Sequence, residues 1–259
     1  MLKDDVNFFE SDGYTLAYRD KGNGQPILLI HGFASSSWVN WVAPGWFRTL
    51  NDAGYRVIAI DNRGHGFSQK IHDEKAYTPE AMADDAVRLL DHLGIENAHI
   101  MGYSMGARIT AFACLRHAAR VQSAIFGGLG IGMVTGAGRW EPVAEALLAD
   151  DIASINNERG LMFRKFADQT QSDRLALAAC VITSKKELTA AEVFKIKQPV
   201  LVAVGSNDEI GGDPVALAAL LPNGEPLVIE GRDHMLAVGD KIYKKGVLEF
   251  LARHPIGRR

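Results

Sequence analysis

The segment Gly102-Tyr103-Ser104-Met105-Gly106 sets a serine between two glycines, each two positions away. A serine hydroxyl becomes a strong nucleophile when a neighbouring base takes its proton during attack. The G-x-S-x-G spacing has a steric reason. A turn sharp enough to lift the serine above a sheet crowds the chain two residues to either side, so both positions must lack a side chain. The apolar run Ala98–Met101 precedes the motif and a helical pattern begins near Met105. This is the strand–turn–helix setting in which the motif carries a nucleophile. The helix also points its N-terminus at the site, which favours developing negative charge.

Eight histidines compete to be the base. His31 follows an early strand and His65 lies in a glycine-rich turn. His72, His92, His99, His117 and His254 fall in or near helices, strand ends or the tail. His234, in Gly231-Arg232-Asp233-His234-Met235, follows the last apolar strand. That puts it at the C-terminal edge of the sheet, where open α/β sheets bind ligands. For the acid that orients it, Asp208 in Gly205-Ser206-Asn207-Asp208-Glu209 is favoured, with Asp213 next. Asp233 adjoins His234 and is poorly placed to face its ring. A tetrahedral oxyanion needs two fixed N–H donors. The expected pair is the backbone N–H of Met105, just after the nucleophile, and that of Phe33 in His31-Gly32-Phe33. Gly32 would let this loop approach closely, and the His31 side chain reads as a brace. Trp38, Tyr103, Met133 and Trp140 are expected to line an apolar substrate pocket, helped by Phe163. Trp41 and Trp46 read as core.

The elements that must position these groups alternate between short β-branched runs and helical patterns. Phe8–Glu10 and Tyr14–Arg19 read as a hairpin turned at Asp12-Gly13. Further strands are expected at Ile27–Ile30, Arg56–Ile60, Ala98–Met101, Val121–Phe126, Pro199–Val204 and Pro226–Ile229. Helices are expected at Phe47–Ala53, from Thr78-Pro79 to Leu93, at Met105–His117 and at Asp240–Arg253. This order implies a mostly parallel sheet covered on both faces, with an antiparallel edge. From about 130 to 195 the rhythm gives way to an irregular helical stretch, entered through Gly127, Gly128, Gly130 and Gly132. The expected division is therefore an α/β core from 1–129 and 196–259 with a small helical cap inserted at 130–195.

Bulk composition narrows the functional classes. A chain of 259 residues with 47% hydrophobic content is enough for one such domain. The net charge of -3 and pI of about 6.2 supply no basic field for nucleic acid, and the Arg258-Arg259 tail is too short to change that. Cys114 and Cys180 have no metal-like spacing and read as reduced, buried thiols, with a disulfide left open. No metal or other cofactor is implied. The opening residues, with Lys3, Asp4 and Asp5, do not read as a secretory signal, and no apolar run has the length of a membrane span. A cytoplasmic location is the expectation; the oligomeric state is left open.

Together these segments resemble the α/β-hydrolase superfamily over nearly the whole chain. His31-Gly32-Phe33 is similar to its oxyanion loop, and Asp61-Asn62-Arg63-Gly64-His65-Gly66-Phe67-Ser68 to its D-x-R-G-x-G-x-S segment. Gly102–Gly106 resembles its elbow, Gly205-Ser206-Asn207-Asp208 its acid loop, and Asp233-His234 its terminal histidine. The resemblance implies hydrolysis of an ester, thioester or lactone without a cofactor, on a small-molecule or polymeric substrate. A serine at position 104 argues against the branches with an aspartate nucleophile, and Tyr103 departs from the tryptophan motif of the perhydrolase-like branch. The expected function is a carboxylic ester hydrolase using Ser104, Asp208 and His234 through an acyl-enzyme. The alternatives are C–C bond hydrolysis of diketone-like substrates, and a non-catalytic ligand receptor of the same fold.

Overall fold

The computed structural model describes residues 5–257; Lys3, Asp4, Arg258 and Arg259 lie outside the described residues. The chain runs β1 (Asn7–Ser11), β2 (Tyr14–Lys21), β3 (Gln25–Ile30), α1 (Trp46–Asp52), β4 (Tyr55–Ile60), α2 (Pro79–His92), β5 (Ala98–Tyr103), α3 (Met105–Arg116) and β6 (Val121–Gly127). Next come α4 (Gly132–Thr135), α5 (Glu141–Leu148), α6 (Glu158–Gln169), α7 (Arg174–Thr183) and α8 (Ala190–Val193). The chain then returns through β7 (Val200–Gly205), α9 (Pro214–Ala218), β8 (Gly224–Ile229) and α10 (Lys241–Arg253).

The strands form one sheet in the order β1-β2-β4-β3-β5-β6-β7-β8. β1 and β2 are antiparallel and β2 pairs antiparallel with β4; the remaining pairs are parallel. Asp12 and Gly13 both take positive φ, 55° and 78°, as a two-residue hairpin turn of this hand requires. Side chains alternate between the two faces. Ile27, Leu29, Val57, Ala59, Met101 and Ile125 pack with Trp41 and Trp46, and with Tyr243, Val247 and Phe250 of α10, on one face. Leu28, Ile30, Ile58, Ile60, Ile100 and Phe126 pack on the other with residues of α2 and α3, such as Leu90 and Phe112. A strand buried on both faces must be apolar throughout, which is why the buried parts of β3, β4 and β7 read as continuous hydrophobic runs.

Local signals fix the helix ends. Thr78 accepts a hydrogen bond from Ala81 N at 3.2 Å and Pro79 opens α2. Asp240 lies one residue before α10, as its cap, with Oδ1 accepting from Ile242 N at 2.7 Å. Between β6 and β7 the described elements are all helical. Cys114 and Cys180 are free, and burial pushes each thiol up to about 12. No described helix is long and apolar enough to cross a membrane.

Candidate active site

Ser104 falls between β5 and α3 with φ 54° and ψ −112°, a conformation that L side chains rarely adopt. Such a conformation costs about 1–3 kcal/mol and persists only when the surroundings enforce it. Here Ser104 N donates to Gly127 O at 2.7 Å, and Ser104 O accepts from Ala107 N at 3.0 Å and Arg108 N at 3.2 Å. The glycines are a steric requirement. A Cβ on Gly102 would stand 2.0 Å from Gly106 O, and one on Gly106 would stand 2.0 Å from Ile30 O.

Asp208 sits in the tight turn after β7, its N–H donating to Gly205 O at 3.1 Å. Its side chain is fully buried. Oδ1 accepts from Ile210 N at 2.9 Å and Gly211 N at 2.8 Å, and Oδ2 lies 2.7 Å from His234 Nδ1. A carboxylate whose other oxygen already accepts two N–H groups takes the proton of Nδ1 as a third donor. That leaves Nε2 as the lone-pair nitrogen of the ring. Tyr103, next to Ser104, donates its phenol to His234 O at 2.7 Å and so ties the histidine loop to the elbow strand. Burial raises that phenol well above its ordinary range, keeping it a neutral donor. Asp213 is engaged elsewhere, capping α9 through Val215 N at 2.8 Å.

The loop over Ser104 is braced by two neutral histidines. His31 Nε2 accepts from Asn62 N at 2.9 Å, so Nδ1 carries the proton and donates to Gly32 O at 2.8 Å. His65 Nε2 accepts from Ala34 N at 3.2 Å, so its Nδ1 donates to Arg63 O at 2.7 Å. Burial drives His31 down to about 4 and His65 down to about 3. Below them, Asp61 accepts from Ser37 N at 2.7 Å and Phe67 N at 2.9 Å, and Arg63 pairs with buried Asp85 at 2.5 Å. The whole 61–68 segment thus supports the loop. A Cβ on Gly32 would lie 3.4 Å from Ser104 Cβ, a measure of how closely the loop passes that serine. Hydrogen bonds among the described residues hold the N–H groups of Gly32, Ala34 and Ser35, and use neither Phe33 N–H nor Met105 N–H. Gly32 N is held by the Asn40 side chain at 2.8 Å. The sequence reading missed Asn40, a polar residue in an aromatic-rich stretch that gives no motif.

Ser104 and His234 open onto one cavity of about 340 Å³. Its apolar wall includes Val39, Phe163, Phe166 and Leu236, together with Phe33 and Trp140. Phe33, Trp140 and Phe163 contact one another with ring centroids 5.3–6.4 Å apart. Tyr103 lines the cavity too. Two expected lining residues do not. Trp38 begins a wide helical turn over residues 38–42 that presents Val39 and Asn40 to the cavity instead; its indole lies 5.6 Å from the Arg19 guanidinium. Met133 is fully buried in the core, and its carbonyl accepts from Arg108. Trp41 and Trp46 are core, as read. Among the described residues, no group of three His, Cys, Asp or Glu is placed to hold a metal ion.

Comparison with known proteins agrees with this architecture. A family model described as the alpha/beta hydrolase fold matches residues 25–152. A non-heme chloroperoxidase of Kitasatospora aureofaciens is 27% identical over 93% of this chain and 97% of its own length. A 2-hydroxymuconate semialdehyde hydrolase of Pseudomonas putida is 35% identical over 49% of this chain but 44% of its own. Several other curated relatives, among them epoxide hydrolases, are likewise matched over less than half of their length. A thermophilic esterase from Thermogutta terrifontis superposes with a TM-score of 0.76 at 24% identity, over 96% of this chain and 98% of that one; this likeness carries the fold. The chain has the α/β-hydrolase fold.

Proposed function

We propose that the protein is a serine hydrolase of carboxylic esters that works through an acyl-enzyme. The observation that carries this reading is the Asp208–His234 pair, Oδ2 to Nδ1 at 2.7 Å, opening onto the same cavity as a serine held in a strained elbow. His234 Nε2 takes the Ser104 proton as Oγ attacks the ester carbonyl. The carbonyl oxygen becomes an oxyanion that accepts from Phe33 N–H and Met105 N–H, with the N-terminus of α3 adding a favourable field. As the tetrahedral species collapses, the C–O bond to the alcohol breaks and His234 returns the proton to that alcohol. A water then repeats the sequence, giving its proton to His234 while its oxygen attacks the acyl carbon. Ser104 leaves with the proton and the free acid departs. Asp208 fixes the tautomer throughout and stabilises the imidazolium. A cavity of about 340 Å³ lies at the small end of ligand sites, which favours short to medium acyl groups.

The test is hydrolysis of p-nitrophenyl esters, acetate to decanoate, by wild type and Ser104→Ala. Turnover by wild type, lost by roughly 10⁶-fold in the variant, supports the reading. A folded wild type inactive on every ester sinks it. Similarity to the 2-hydroxymuconate semialdehyde hydrolase makes C–C bond hydrolysis the second reading. Turnover of a diketone-like substrate in the absence of ester turnover would select it.

A further inference from the structure

Ser104 and Trp140 also border a second, narrower space of about 20 Å³, lined too by Met105, Arg108, Leu129, Lys185 and the exposed Glu187. It has room for a few atoms next to the nucleophile. The Lys185 ammonium lies 3.8 Å from the Trp140 ring centroid and 5.1 Å from that of Phe33, the two rings that line the main cavity. Among the described residues no carboxylate lies within ion-pair distance of it. The other cations here are already committed. Arg108 donates to the carbonyls of Gly132, Met133 and Lys186, and Arg159 stacks on Trp140 at 4.5 Å while donating to Ala137 O at 2.5 Å. Glu187 is the carboxylate among the lining residues, against two cations there and a third behind Trp140. Burial, with the charges of Arg108 and Arg159, drives the Lys185 ammonium down to about 7. Lys185 is half-buried, and a partly desolvated cation without an ion-pair partner gains when an anionic ligand binds beside it.

We propose that this arm is an anion subsite in which Lys185 receives a substrate carboxylate, so that the preferred substrates are half-esters of dicarboxylic acids. The main cavity then holds the apolar part of the ester, Ser104 attacks the esterified end, and the free carboxylate seats against Lys185. The substrate class rests on the ester-hydrolase reading above; the anion site itself does not. A charge-assisted hydrogen bond in a partly dry site corresponds to about a 10- to 100-fold preference.

The experiment compares kcat/KM for mono-p-nitrophenyl succinate, glutarate and adipate with the neutral straight-chain esters of matched length, on wild type and Lys185→Met. The expected wild-type ratio of half-ester to neutral ester is about 10 to 100 at one chain length or more, falling towards one in the variant. A wild-type ratio of one or below at every length overturns the proposal and leaves the ester reading standing. A ratio that survives in Lys185→Met overturns the assignment to Lys185. If wild type cleaves neither series, the ester reading fails, and calorimetry with free glutarate decides the subsite without turnover. Binding weakened at least about tenfold by Lys185→Met supports the site, whereas no binding to wild type overturns it.

Discussion

Acidification should unfold this protein through its buried histidines. His31, His65 and His99 are buried as neutral imidazoles, with burial the leading cause that holds them down to about 4, about 3 and about 4. In the unfolded chain each protonates near pH 6.5. Between these values the unfolded chain binds protons that the folded chain does not. Stability therefore rises with pH in this window and is lost as pH falls from about 6.5 towards 4. At pH 5 each histidine has removed about 2 kcal/mol relative to pH 8, about 6 kcal/mol for the three. That is comparable to the whole stability of an ordinary domain, about 5–15 kcal/mol. Near pH 5.5 the slope should approach 4 kcal/mol per pH unit, set by three withheld protons. Urea unfolding at pH 8, 6.5, 5.5 and 5 measures it. His65→Gln can still accept from Ala34 N and donate to Arg63 O, the two bonds His65 makes, while no longer titrating. It should remove about a third of the acid loss. Stability level from pH 8 to 5, or an undiminished slope in His65→Gln, would refute the reasoning.

Other perturbations address the site more directly. Asp208→Asn keeps the size of the side chain but presents the wrong partner to His234 Nδ1; kcat on a p-nitrophenyl ester should fall about 10⁴-fold with the circular dichroism unchanged. Gly106→Ala puts a Cβ 2.0 Å from Ile30 O and should cost at least about 1–3 kcal/mol by thermal unfolding, with activity lost because β3 and the elbow must part. Asp85→Ala removes the carboxylate that pairs with buried Arg63 and accepts from Ser11 Oγ, and should cost about 3–5 kcal/mol in urea unfolding.

How much of this was legible follows from the length scale of each signal. Strands β3, β4 and β7 announce themselves because two buried faces demand unbroken apolar runs, and each observed strand lies within a residue or two of its expected place. The elbow is legible because its two glycines are imposed by contacts made within the motif and with the adjacent strand. The pairing of Asp208 with His234 follows from both loops leaving the C-terminal edges of adjacent strands, β7 and β8. The pocket is different. Whether Trp38 or Val39 faces the cavity depends on the wide turn at 38–42, which no local propensity marks. Met133 is expected at the pocket as a residue of the helical cap, yet α4 turns it into the core. Lys185 carries no local signal, because only the packing of the helical segment brings it against Phe33 and Trp140. The Asn40 bond to Gly32 joins residues eight apart across a loop and has no pattern to betray it.

The central claim is that Ser104 is the nucleophile activated by His234 and Asp208. Its most direct test is labelling with an alkyl fluorophosphonate, in which the serine oxygen displaces fluoride and stays bound to phosphorus. The account predicts one phosphonyl group per chain on the peptide containing Ser104, activity lost in step with labelling, and markedly slower labelling in Asp208→Asn. A folded protein that remains unlabelled, or is labelled equally well as Ser104→Ala, would contradict it.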